Sequence, residues 1–148
     1  MRVGAAIAFA LVLIIGPAYA LPVASISVDT SRGRAAFRVE IAGDRASQKK
    51  GLMFRKKLAP NAGMLFDFHG AVMTSFWMKN TVLPLDIIFI RPDGTISSIA
   101  ANAVPYSEAS IPSSEPIRAV LEINAGRAAA LGIAPGATVH AGIFDNAR

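Results

Sequence analysis

Cysteine is missing from all 148 residues. That excludes disulfides, thiolate metal sites, thiol nucleophiles and a lipid-modified cysteine after the N-terminal apolar run. Histidine is nearly missing too: His69 and His140 are the two present. Their separation suggests no serine triad, and Ser75 and Ser107 have no identifiable base partner. The chain has one tryptophan, Trp77, and carries no internal repeat. It holds 10 acidic residues against 15 basic ones, a formal net charge of +5. An excess this mild argues against nucleic acid as a partner.

What is present begins with an export pattern. Arg2 gives a positive start, and residues 3–15 are apolar apart from Gly4. Gly16 and Pro17 break the run, and Ala18-Tyr19-Ala20 is a small-x-small cleavage site. These features predict a secretory signal peptide over residues 1–20, cut after Ala20, and hence a periplasmic or secreted protein. The apolar run is shorter than the roughly 20 residues that span a bilayer, so no stable membrane insertion is expected after cleavage. An uncleaved N-terminal anchor is the alternative. Residues 21–148 then read as a single domain, long enough to bury a core without covalent staples.

Several segments read as strands. In "AAFRVEIAGD", Phe37, Val39 and Ile41 alternate with Arg38 and Glu40, the period of a half-buried strand. Residues 63–68, 72–79, 85–90, 95–100, 118–123 and 137–144 are further strands, with Asp93-Gly94 marking a hairpin. Asp44 predicts the cap of a short helix over 45–51 that Gly51 ends in the left-handed conformation. Asn124 predicts the cap of a second, stopped by Gly132. Residues 102–117, with three prolines, form a long irregular loop that can lid a pocket through Tyr106. The fold expected is mainly β: a jelly-roll-like β-sandwich or barrel-like sheet with two short helices.

The densest stretch is "FWMKNTVLPLDIIFI", residues 76–90. A hairpin between 75–79 and 85–90 would set Lys79 opposite Asp86, Trp77 opposite Ile88 and Met78 opposite Ile87. The polar residues would then organise a hairpin end. Alternatively Trp77, Lys79, Asn80 and Asp86 line a ligand site, with Arg55 and Glu122 as additions. Arg55, Lys79, Asp86 and Glu122 sum to zero charge, so a self-paired internal network is the competing reading.

The blocks "GLMFR", "GMLFDF", "FWMKNTVLPLDIIFI", "PYS" and "VLEINAG" resemble the domain-of-unknown-function family 192, over about residues 24–144. The resemblance implies a mainly-β, jelly-roll-like fold, often exported, and carries no activity. It places Arg55, Trp77, Lys79, Asn80, Asp86 and Glu122 at matching positions.

The function expected is a non-catalytic envelope binding or accessory module for a small polar or carbohydrate ligand. No catalytic residue, metal or cofactor is assigned, and no partner protein is identified. Two alternatives stand beside it. One is a small hydrolase pairing Asp86 with Glu122. The other is a copper(I) carrier using Met53, Met64, Met73 and Met78, whose thioethers suit that ion; the competing view is that methionine fills core gaps. The basic cluster Arg45, Lys49, Lys50, Arg55, Lys56 and Lys57 reads as a solvated face or a contact for anionic lipid or polysaccharide.

Overall fold

The structure, a computed structural model, describes residues 20–147. The expected signal peptide, apart from Ala20, lies outside the described residues. Nine strands and two short helices follow in the order β1 (Val23–Thr30), β2 (Gly33–Ala42), α1 (Arg45–Lys50), β3 (Ala62–Val72), β4 (Ser75–Phe76), β5 (Leu85–Ile90), β6 (Ile96–Ala103), β7 (Ile111–Pro112), β8 (Ile117–Asn124), α2 (Arg127–Leu131) and β9 (Val139–His140). Seven of the strands form one sheet in the order β6-β5-β8-β3-β2-β1-β9, and β4 pairs with β7 in a small second one. The fold is mainly β, as expected, in its barrel-like form. The two edges of the large sheet meet at one end. Ile96 N–H donates to Ala137 C=O at 2.8 Å, Val139 N–H to Gly94 C=O at 2.8 Å, and Thr95 bridges Thr138. Joining the edges there hides ladder groups that an open sheet would expose.

The curl gives the sheet two buried faces. One holds Ile26, Val28, Phe37, Val39, Leu65, Ile88, Leu121 and Ile123, closed by Ala128 of α2. The other holds Met64, Phe66, Leu85, Ile87, Phe89 and Val120, covered by Leu52, Met78 and Ile117. β5 and β8 serve both faces, which is why "LDIIFI" is continuous in apolar residues rather than alternating. β3 and β8 approach closely at Gly63. A Cβ there would lie 2.6 Å from the Glu122 carbonyl oxygen, so only glycine fits.

β2 and β3 run parallel, with Glu40 beside Met64. Parallel neighbours need a crossover, and residues 43–61 supply it, carrying α1 outside the sheet. Asp44 caps α1 by accepting from Ala46 N–H (2.9 Å) and Ser47 N–H (3.0 Å). Gly51 ends the helix at φ +49°, but its ψ of −135° lies outside the left-handed helical well expected there.

The 75–79/85–90 hairpin does not form. Both ladder sides of β5 are taken, by β6 and by β8. Ile88 faces Ile99 and Leu121, and Ile87 faces Ala100 and Glu122. Of residues 72–79, Ser75 and Phe76 alone form β4, and they pair with Pro112 and Ile111 inside the expected irregular loop. The Asp93-Gly94 hairpin does form, with Gly94 at φ +86°. Within 137–144, Val139 and His140 alone are strand, followed by a 3-10 turn. Asn124 does not cap α2; its side-chain amide donates to Leu58 and Ala59 C=O. β1 is a strand beyond those expected.

Candidate functional site

A cavity of about 740 Å³ opens between the crossover and the outer face of the sheet. This is within the roughly 300–1,000 Å³ of small-molecule sites. The crossover contributes Gln48, Lys49, Lys50, Gly51, Leu52 and Met53, and the sheet contributes Phe66, Phe68 and Glu122. The segment 74–81, running from β4 into the next loop, supplies Phe76, Trp77, Lys79 and Asn80. Four of the six expected site residues thus share one cavity: Trp77, Lys79, Asn80 and Glu122.

Glu122 is the unusual member. It sits on β8 between Met64 of β3 and Ile87 of β5, both fully buried. Its exposure is 5%, it lines the cavity, and no hydrogen-bonding or charged partner among the described residues offsets its burial. Burial pushes its pKa up to about 8, because an unpaired charge is costly away from water. At neutral pH the carboxyl therefore keeps its proton. In the same row, Glu40 lies across Met64 on β2, but it is held by Arg55 at 2.8 and 2.6 Å. That fork-to-fork contact holds Glu40 below the usual carboxylate range.

Two expected site residues lie elsewhere. Arg55 is occupied by Glu40 and does not line the cavity. Asp86 is fully buried and points to the opposite sheet face from Glu122. Asp86 pairs in register with Ile123, whereas Glu122 pairs with Ile87, and successive residues alternate faces. Asp86 accepts Asn102 N–H (2.9 Å), Gly126 N–H (3.1 Å) and Ala128 N–H (2.9 Å), and so caps α2 in place of Asn124. The expected Lys79–Asp86 pair is absent. Lys79 meets Glu108 at 3.2 Å, and its Nζ lies 5.0 Å from the Trp77 ring centroid. The zero-sum network is likewise absent: Arg55, Lys79 and Asp86 each find a separate partner, and Glu122 finds none among the described residues.

The carboxylate pair of the hydrolase alternative is not assembled. Asp86 and Glu122 are separated by the sheet itself, so they do not flank one substrate as a carboxylate pair. Of the four methionines, Met64 and Met78 are buried in one core cluster, Met53 lines the cavity and Met73 is exposed; the burial of Met64 and Met78 is what core-filling methionine shows. Tyr106 is exposed and does not line the cavity.

Aromatic packing defines the inner wall. Phe76 meets Phe66 edge-on at 5.0 Å between centroids, Phe89 at 6.1 Å and Phe68 at 6.5 Å. Phe54, Asn80 and Tyr106 all have positive φ, from 54° to 64°, and of the three Asn80 lines the cavity. Their loops are tied together: Phe54 N–H donates to Asn80 C=O at 2.8 Å and Tyr106 N–H to Thr81 C=O at 3.1 Å. Such conformations cost about 1–3 kcal/mol each and cluster at functional sites. No sequence pattern announces them at a phenylalanine or a tyrosine.

A small, mainly-β domain with a curled sheet and a crossover-walled cavity is the class that fold and site define. The chain belongs to the DUF192 family, described as "Uncharacterized ACR", whose model matches residues 27–141. It is similar to a crystal structure from Sinorhizobium meliloti 1021 described as a "putative transcription regulator". The two are 43% identical with a TM-score of 0.83, over 86% of this chain and 99% of that one. It is also similar to a protein of unknown function from Novosphingobium aromaticivorans DSM 12444. There the identity is 47% and the TM-score 0.80, over 92% and 94% of the two chains. Among proteins with curated functions, none matches.

Proposed function

We propose that this chain is an exported, non-catalytic binding module of the cell envelope whose cavity takes a small amphipathic molecule. One observation carries the reading: Glu122, a residue 5% exposed in an apolar wall, turns its carboxyl to a roomy cavity and has no protein partner among the described residues. No protein group answers this carboxyl, and its oxygens are open to the cavity alone, so whatever fills the cavity is what meets them. A ligand's polar group is the partner that fits. The apolar walls refine the expected ligand. A carbohydrate would set hydroxyls against Leu52, Phe66 and Phe76, where they find no acceptor, whereas an apolar body with polar ends matches the lining.

The transcription-regulator description of the Sinorhizobium protein is not extended to this chain. Its described helices have six and five residues, too short for a recognition helix laid in a major groove. Arg55 of the basic cluster is already committed to Glu40.

A fragment library screened by thermal shift tests the binding reading. A ligand at about 100 times its Kd adds about 2.7 kcal/mol, raising Tm by roughly 5–10 °C for a domain of this size. Trp77→Ala, at a residue 47% exposed, is expected to fold normally and to respond less to the hits. A library with no hit removes the reading, and an equal response in the variant removes Trp77 from the site. The export part has its own check. Intact-mass analysis of the secreted or periplasmic protein is expected to show a chain beginning at Leu21; retention of residues 1–20 overturns cleavage.

A further inference from the structure

The groups around the cavity specify more than an amphipathic ligand. We propose that the site takes an ammonium–carboxylate zwitterion whose charges are separated by an apolar span. Its ammonium sits at Glu122 beside Phe66 and Phe76, and its carboxylate at Lys49 and Lys50. This rests on the binding reading above and deepens it.

Three observations converge. First, Glu122 is buried in the cavity wall without a partner among the described residues. An arriving ammonium supplies a counter-charge where the fold provides none. Second, the same wall is aromatic, and ring faces attract cations by about 0.5–1 kcal/mol when exposed and about 2 or more when desolvated. Trp77 already holds one cation, the Lys79 ammonium. Third, the crossover side is positive. Lys49 and Lys50 are exposed, line the cavity and make no ion pair among the described residues. Lys79 differs, because Glu108 offsets its charge.

A simple cation would be repelled by Lys49 and Lys50. A simple anion or neutral molecule would meet Glu122 as the protonated acid and gain no charge attraction there. A zwitterion answers both. The groups facing Glu122 from its packed neighbours support this: Met64 and Ile87 are apolar, and Glu40 beyond Met64 is neutralised by Arg55. From the cavity side come the lysines Lys49, Lys50 and Lys79. Because the free carboxyl is protonated at neutral pH, seating an ammonium against it sends that proton to solvent. No bond within the ligand changes.

The test is isothermal titration at pH 7 in two buffers of different ionisation enthalpy. The probes are 4-aminobutyrate and 6-aminohexanoate, with hexanoate and hexylamine as single-charge controls. At least one aminoalkanoate is expected to bind about tenfold or more tighter than either control, releasing close to one proton per site. Glu122→Gln is expected to abolish the proton release and to weaken the aminoalkanoate at least tenfold. Lys49→Ala with Lys50→Ala is expected to weaken it while leaving hexylamine unharmed. Equal or tighter binding of hexanoate, or binding without proton release, overturns the proposal. If neither aminoalkanoate binds while other fragments stabilise the wild type, the zwitterion falls and the binding module stands. If nothing stabilises the wild type, both fall.

Discussion

Asp86→Ala is expected to lower stability by about 4 kcal/mol or more in urea unfolding, enough to leave a marginal domain largely unfolded. Asp86 is fully buried, and its two carboxyl oxygens accept three backbone N–H groups. Each buried donor left unsatisfied costs about 1–3 kcal/mol. The three come from separate places: the end of β6 at Asn102, the turn at Gly126, and the first turn of α2 at Ala128. One side chain therefore ties β5 to the end of neighbouring β6 and to the helix that closes the inner core. Asp86→Asn keeps the oxygen facing Asn102 and Gly126 but turns an amide NH2 toward Ala128 N–H. It is expected to cost about 2 kcal/mol. An alanine variant within about 1 kcal/mol of wild type would mean that water takes over the three donors, and the capping role would be lost.

Glu122→Gln is expected to do the opposite: to stabilise, and to do so only as pH rises. Burial raises the folded-state pKa of Glu122 from its ordinary 4.5 to about 8. Between those values the folded protein holds a proton that the unfolded chain has released. Stability therefore falls as pH rises from about 4.5 through 8 and levels off above. At about 1.4 kcal/mol per pH unit across that window, the loss is on the order of 5 kcal/mol. Glutamine cannot ionise, so the variant lacks this slope. The variant and wild type are expected to be similar near pH 4.5 and to diverge steadily to pH 9, as read from urea midpoints at fixed salt. Other titrating groups are common to both proteins and cancel in the difference. A constant difference across the range would place the Glu122 carboxyl in water rather than in the wall.

Local patterns are legible in this sequence where local physics decides them. Asp44 stands before a short polar run and caps it. Asp93-Gly94 turns β5 into β6, because glycine accepts the positive φ that the turn demands. Phe37 and Val39 are buried by the alternation that announces them. The alternation of "VASISVDT", which buries Ile26 and Val28, is equally plain and marks β1. What is not legible depends on partners distant in sequence. The apolar continuity of "LDIIFI" signals a strand with neighbours on both sides, and that leaves no ladder free for residues 75–79. Their partner is Ile111-Pro112, inside a segment whose prolines read as loop. Arg55 cannot be matched with Glu40 without the parallel register of β2 and β3. Asp86 and Glu122 look alike in sequence, two carboxylates in apolar strands. One residue of register sends Asp86 to the amides of α2 and Glu122 to a space with nothing to meet it.

The parallel pairing of β2 with β3 has a structural consequence of its own. A chain that must run the same way twice has to come home by an outside route, and the hollow beneath that route is a by-product of the return journey. A longer or shorter detour would resize the hollow while leaving every rung of the main sheet where it is. Variation in what relatives accommodate is therefore expected to be written in the length and composition of residues 43–61, with the strands beneath serving as an unchanging floor.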